Sequence, residues 1–414
     1  MLREGEIRIP SGCAISGVIS KSGKNINGSE MIKSIATMHD RSNGLGGGFA
    51  GYGIYPQYPD LYAFHVFYDG NKAREECERF LDKHFDIINL SKIPVRKSDK
   101  IVAEPLIWRY FVEPLKTKLK DSKLDEKEFV SQCVIHINSN IEGAYVFSCG
   151  KNMGIFKALG YPEEVGEYFR LDEYEGYAWT AHGRYPTNTP GWWGGAHPFG
   201  MLDYSIVHNG EISSYDANRR NIEMYGYKCN LQTDTEVITY IIDFLLRKQG
   251  LSLEEAAKVI AAPFWSTIEG MSAEEREQAE YLRAAYSNLL ITGPFSIILG
   301  FEGGLMALND RLKLRSMVIG EKDDRVYMAS EECAIRIIEG YTRTTMALNK
   351  EKQDREVEQN SETTSQFGLQ AATRLHEVGI ASNRGSACHG EYVPGPCTHR
   401  PSHHESREHP KSVV

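Results

Sequence analysis

Two runs constrain this chain more than anything else in it. Thr180-Ala181-His182-Gly183-Arg184-Tyr185-Pro186-Thr187-Asn188-Thr189 reads as a strand that opens into a polar loop. Asp203 to Ile212 reads as a second strand, and its end carries His208-Asn209-Gly210. Strand ends that open into Gly- and Asn-rich loops are where a scaffold presents reactive groups. His-Asn-Gly alone is also an ordinary turn signal, because Asn and Gly both accept φ > 0. The company of this segment favours chemistry. Thr233-Asp234-Thr235-Glu236-Val237 follows, with Asp234 near the start of a predicted helix, where a carboxylate is favoured. Upstream, Cys13 heads an alternating strand that runs to Ser20.

The rest of the chain falls into blocks. Residues 1–12 form a charged leader. Ser29 is the expected N-cap of a helix whose apolar stripe is Met31, Ile32, Ile35 and Met38. Gly44 to Gly53 holds six glycines and predicts a flexible loop. Residues 60–140 read as an inserted α+β block: a strand at 61–67, a helix at 71–85, and β-rich runs at 87–95, 106–112 and 130–137. Ala144 to Cys149 and Gly154 to Ala158 predict a hairpin. Helices are expected at 217–225, 235–248, 253–261 and 273–287, then short strands at 295–300, 305–308, 316–320 and 326–329. Ser330-Glu331-Glu332 is read as the cap of a last helix. Beyond Gly340, Ser, Thr, Pro and charges dominate, and residues 341–414 are expected to be a disordered tail. Its Cys388, His389, Cys397, His399, His403 and His404 match no zinc-module spacing, so no metal is expected.

Charge and hydropathy exclude some classes. The formal net charge is −9, which argues against a nucleic-acid or anionic-membrane partner. No apolar run is long enough for a membrane span, and the first residues lack a secretory signal. The eight cysteines are scattered without a CxxC pair, which suits a reduced cytoplasm.

Five pieces together carry a resemblance: Cys13-Ala14-Ile15-Ser16-Gly17-Val18, His182-Gly183-Arg184, Ala196-His197-Pro198-Phe199, His208-Asn209-Gly210-Glu211-Ile212 and Thr233-Asp234-Thr235-Glu236-Val237. In that order they resemble the class II, N-terminal-nucleophile glutamine amidotransferases, over residues 13 to 338. The wording from Arg184 to Trp193 looks most like the stand-alone amidotransferase subunit of split glutamate synthases. The resemblance implies a four-layer αββα sandwich of two antiparallel sheets, the Ntn-hydrolase fold, with the 60–140 block inserted. Compact relatives lack that block, so catalysis is not expected to depend on it.

The chemistry needs a nucleophile, a base, an oxyanion site and grips for the amino-acid end of L-glutamine. Cys13 has no triad partners in the motif set. Its own α-amine could serve as base once residues 1–12 are removed. The resemblance gives Asn209 a side-chain N–H and Gly210 a backbone N–H at the oxyanion. It gives Arg184 the substrate carboxylate, whose geometry the guanidinium fork matches, and Asp234 the substrate ammonium. Tyr185, Thr187 and His197 fall at positions that line the pocket in relatives; His197 can equally be a structural histidine before Pro198. Trp192 and Trp193 could anchor a lid or meet a partner. The chain shows no Walker loop, flavin barrel or GxGxxG, so the ammonia acceptor is expected on a separate synthase subunit, with FMN and iron–sulfur clusters there and no cofactor here. Two other readings stay open: a different N-terminal-nucleophile amidohydrolase such as an acylase, and an inactive scaffold subunit of the same complex.

Overall fold

The computed structural model describes residues 12–186, 191–340, 343–346 and 378–382, the last two segments as backbone only. The strands are β1 (Ala14–Ser20), β2 (Ile26–Asn27), β3 (Gly47–Tyr52), β4 (Tyr62–Tyr68), β5 (Phe85–Lys92), β6 (Leu106–Pro114), β7 (Ala144–Ser148), β8 (Met153–Ala158), β9 (Glu175–Gly176) and β10 (Ala178–Gly183). They continue with β11 (Phe199–Met201), β12 (Tyr204–Gly210), β13 (Phe295–Phe301), β14 (Gly304–Asn309), β15 (Val318–Lys322), β16 (Arg325–Ala329), β17 (Arg343–Met346) and β18 (Val378–Ser382). The helices are α1 (Gly28–Ala36), α2 (Asn71–His84), α3 (Lys116–Ser122), α4 (Glu126–Asn140), α5 (Pro162–Tyr168), α6 (Tyr215–Met224), α7 (Asp234–Asp243), α8 (Leu253–Ile260), α9 (Trp265–Glu269), α10 (Ala273–Tyr286) and α11 (Cys333–Glu339).

Two antiparallel sheets face each other. The first has the order β17-β15-β16-β1-β10-β3-β8 and the second β11-β12-β13-β14-β18. Every residue of β1 is buried, as expected for a central strand covered on both faces. Gly17 of β1 faces the second sheet, where a Cβ would lie 3.4 Å from Leu305 Cδ1. Helices α1, α5 and α11 cover the outer face of the first sheet, and α7 covers the second. This is the expected αββα sandwich. A third sheet, β5-β6-β4-β7, forms the inserted block with α2 and α4 against it. No helix among the described residues is long and apolar enough to cross a membrane.

Several local expectations change. Residues 130–137 belong to helix α4, not to a strand. Phe129, Val130, Cys133, Val134 and Ile137 are buried at helical spacing, and the Asp125 side chain accepts the Glu128 N–H to cap the start. The 144–158 segment is no hairpin: β7 pairs with β4 in the inserted sheet, while β8 pairs with β3 in the large one. Asn27, not Ser29, caps α1, accepting the Ser29 N–H at 2.9 Å. The glycine run is not a flexible loop but contains β3, buried throughout. Its glycines are steric: a Cβ on Gly48 would sit 2.2 Å from the His197 carbonyl oxygen, and one on Gly47 2.6 Å from Pro162 Cα. Beyond Gly340, β17 pairs with β15 and β18 with β14, so those two segments depart from the expectation of a disordered tail. Averaging composition over the whole tail hides the short apolar run Val378-Gly379-Ile380-Ala381. The leader 1–11 and the Cys388–His404 cluster lie outside the described residues.

Candidate active site

The motif residues converge where the two sheets end. A cavity of about 1140 Å³ is lined by Cys13, Arg184, Tyr185, His197, Asn209, Gly210 and Asp234, among others. Cys13 immediately precedes β1, and Arg184 immediately follows the adjacent β10. Asn209 and Gly210 close β12 of the facing sheet, and Asp234 opens α7. Four chain segments far apart in sequence thus meet in one place. Thr187 lies outside the described residues.

The Cys13 thiol receives a hydrogen bond from the Tyr185 N–H at 3.4 Å. Burial pushes its pKa up, and the Tyr185 N–H only partly offsets this. Arg41 Nε donates to the Cys13 carbonyl at 3.2 Å and its guanidinium pairs with Glu331 at 2.8 Å. The residue is therefore gripped by its backbone while its sulfur faces the cavity.

Gly210 has φ +156°, and a Cβ there would lie 2.2 Å from the Pro294 carbonyl oxygen. Only glycine fits, which keeps the backbone open to a close-approaching substrate. The Asn209 side chain is fully buried. Its Nδ2 donates to Ser330 Oγ at 3.3 Å, and the same oxygen accepts the Ile15 N–H at 3.2 Å. Ser330 is therefore part of the site and not the expected helix cap; Glu332 occupies the cap position of α11.

Arg184 is 4% exposed. Burial pulls its pKa down, opposed by Cys13 and Asp234. A Cβ on Gly46 would lie 3.1 Å from Arg184 Cδ, so the glycine run also makes room for this side chain. Burial alone would push the Asp234 carboxyl up, but His208, the Ile212 N–H and the Thr235 hydroxyl together hold it below its ordinary range. A buried cation and a half-buried anion thus line one cavity, the pairing a zwitterionic amino acid requires.

Behind Asp234 stands a set of histidines. Thr235 donates to Asp234 Oδ1 at 3.2 Å. His197 Nε2 and His208 Nδ1 lie 2.6 and 3.0 Å from the same Thr235 oxygen. His182 stacks on His197 with centroids 4.1 Å apart, and its Nε2 lies 2.9 Å from the His208 carbonyl oxygen. His197 therefore does two jobs: it lines the cavity and it ties the Ala196–Phe199 turn to α7. Trp193 anchors the end of the loop, donating to the Val102 carbonyl at 2.8 Å and meeting Phe67 of the inserted sheet edge-on at 5.5 Å. Trp192 is 41% exposed.

These histidines make a testable demand on pH. Burial pushes His65 and His182 down to about 3 and His197 well below its ordinary value. Folded, they are neutral; unfolded, they take protons below about 6.5. The unfolded state then binds more protons, so stability falls as pH drops from about 6.5. Buried Lys157, also pushed down, can act only in the same direction. Glu236, pushed up to about 7 by burial, acts oppositely above its unfolded value of 4.5, but with one proton against three. Thermal unfolding should show Tm decreasing between pH 7 and pH 5. A flat or rising profile would refute the neutral state of these histidines.

Sequence reading missed Ser330, Arg41 and Thr235. Thr235 stood inside a recognised motif, next to Asp234. Ser330 and Arg41 had no signal of their own, because each acts through backbone or side-chain atoms distant in sequence.

The family model described as Glutamine amidotransferases class-II matches residues 65–348. Cys13 lies before that span and joins it only through the folded cavity. An uncharacterized protein of Archaeoglobus fulgidus is 48% identical over 329 residues, covering 79% of this chain and 87% of that protein. The amidophosphoribosyltransferase of Methanocaldococcus jannaschii is 25% identical over 203 residues, covering 48% of this chain and 37% of that enzyme. The glutamine–fructose-6-phosphate aminotransferase of Sulfurisphaera tokodaii is 37% identical over 106 residues, covering 25% of this chain and 18% of that enzyme.

Proposed function

The chain belongs to the class II glutamine amidotransferases, and on that footing we propose that it is a glutaminase subunit that hydrolyses L-glutamine through Cys13. The observation that carries this is the convergence of Cys13, Arg184, Asn209, Gly210 and Asp234 on one cavity. In this reading the freed α-amine of Cys13 takes the thiol proton and the sulfur attacks the side-chain amide carbon. Asn209 and Gly210 donate to the oxyanion. The C–N bond then breaks, ammonia leaves with the proton held by the α-ammonium, and water hydrolyses the γ-glutamyl thioester to glutamate. Arg184 and Asp234 hold the carboxylate and ammonium of the substrate throughout.

The ammonia is passed to a synthase subunit of the glutamate synthase type, which carries the flavin mononucleotide and the iron–sulfur clusters. The Arg184–Trp193 wording supports this partner over the fused arrangements. Removing either grip should weaken glutamine use by roughly 2–5 kcal/mol, the range for truncating one buried charge of a pair. Ammonia-dependent synthesis by the reconstituted complex bypasses this site, so Arg184→Ala and Asp234→Ala should leave it intact. Equal losses with glutamine and with ammonia would show that these residues are not substrate grips. Glutamine hydrolysis that never couples to synthesis in the complex would remove the partner and leave the glutaminase.

A further inference from the structure

A second cleft, of about 480 Å³, lies between β6 of the inserted sheet and the loop that follows β3. It is separate from the Cys13 cavity and shares no lining residue with it. Arg109 of β6 reaches into it between aromatic walls. Its guanidinium carbon lies 5.0 Å from the Tyr55 ring centre and 5.2 Å from that of Phe111. Tyr58 packs tilted against Phe111 with centroids 4.3 Å apart, and Tyr174 closes another side.

The charge balance is unusual. Arg109 donates to Ser91 Oγ at 3.2 Å and to the hydroxyls of Tyr55 and Tyr174, its Nε is buried without an acceptor, and no carboxylate pairs with it among the described residues. The two carboxylates at the rim are engaged elsewhere. Glu173 pairs with Arg96 at 3.1 Å and Arg170 at 2.7 Å, and Glu175 accepts from Asn27 Nδ2 at 2.8 Å. The Tyr55 hydroxyl cannot supply a counter-charge either. His65 Nδ1 lies 2.8 Å from the Ile155 carbonyl, which makes it the donor there and leaves Nε2 to accept the neutral Tyr55 O–H. A partly buried cation without a counter-charge is costly to hold. The guanidinium fork matches the geometry of an oxyanion, and the aromatic walls suit a flat ring. Asn25 and Asn89 at the edges add amide donors and acceptors for ring heteroatoms.

We propose that this cleft binds a small planar anion, an aromatic or heteroaromatic ring bearing one carboxylate or phosphate, at the seam between the inserted block and the sandwich. Isothermal titration of the full chain with four probes tests it: nicotinate, uridine 5′-monophosphate, nicotinamide and inorganic phosphate. At least one of the two ring anions should bind one-to-one. Nicotinamide and phosphate alone should bind at least about tenfold more weakly, since each lacks half of the recognition. Which ring anion binds tells carboxylate from phosphate. Arg109→Gln should weaken the bound probe by at least about tenfold. Gln57 is exposed at the mouth, so Gln57→Trp should block entry without touching the interior. Glutamine hydrolysis by Gln57→Trp in the absence of ring anions should match the parent. If circular dichroism shows that Arg109→Gln does not fold, the Gln57→Trp titration decides. The proposal is overturned if neither ring anion binds, if phosphate alone binds as well as they do, or if binding survives in the folded variants.

Discussion

Replacing Cys13 with alanine is expected to abolish glutamate release from glutamine, and the active chain is expected to begin at Cys13. The thiol is half-buried, and its desolvation favours the protonated, unreactive form. Among the described residues no imidazole or carboxylate hydrogen-bonds its sulfur; the partner it has is the Tyr185 N–H, a donor. His182, His197 and His208 each hydrogen-bond backbone or Thr235 through one ring nitrogen, and none of those bonds reaches the Cys13 sulfur. In the proposed mechanism the base is the amine of Cys13 itself, which when free would have a pKa of about 7.7–8. While Gly12 is attached, that nitrogen is an amide and has no basicity. Loss of a nucleophile costs on the order of 10⁴-fold or more where such losses have been measured. The Cys13→Ala protein should keep the parent's circular dichroism and its ammonia-dependent synthesis in the complex. Intact mass of the active parent should show residues 1–12 gone. Active protein that still carries Met1 would sink the mechanism.

The half of the site built on β12 and α7 was legible before the fold because its residues sit in short contiguous strings. His208-Asn209-Gly210 is a strand end, and Thr233-Asp234-Thr235 is a helix start; both features are local and both are read from neighbours in the chain. What was not legible depends on contacts across the fold. Glycines at 44–53 look like freedom when only local propensity is available. In place they are forced, because the backbone of the His197 turn passes 2.2 Å from where a Gly48 Cβ would be. Helix α4 was read as strand because Val130, Val134, Ile135 and Ile137 are β-branched, and packing against the inserted sheet overrode that preference. The insertion was read as a partner-docking or substrate-covering block on which catalysis does not depend. Trp193 links the two, since the loop that begins at Arg184 is fastened at its far end to Val102 and Phe67 of the inserted block.

Ser330 is the residue whose role required the structure, and it leads to the second large effect. Asn209 as placed donates Nδ2 to Ser330 and leaves Oδ1 buried without a donor. An amide has nearly the same outline when turned by half a revolution. Ser330 Oγ already accepts the Ile15 N–H, so its own hydrogen is free to donate. Turned, Asn209 Oδ1 accepts that hydroxyl and its NH₂ points toward the Gly12–Cys13 junction, where a Cβ on Gly12 would lie 3.9 Å from the same amide. This is the orientation an oxyanion needs. Asn209→Ala should then lower kcat by about 10²–10³-fold with KM little changed, as for loss of one oxyanion donor. Asn209→Asp should do at least as badly, because a carboxylate repels the developing charge. Ser330→Ala removes only the orienting hydroxyl, so it should show a smaller loss confined to kcat, and Ser330→Thr, which keeps the hydroxyl, should recover most of it. Steady-state kinetics on glutamine separates the cases. A rise in KM at constant kcat for Asn209→Ala would make the residue a ground-state contact, and Ser330→Thr no better than Ser330→Ala would reduce the serine to packing.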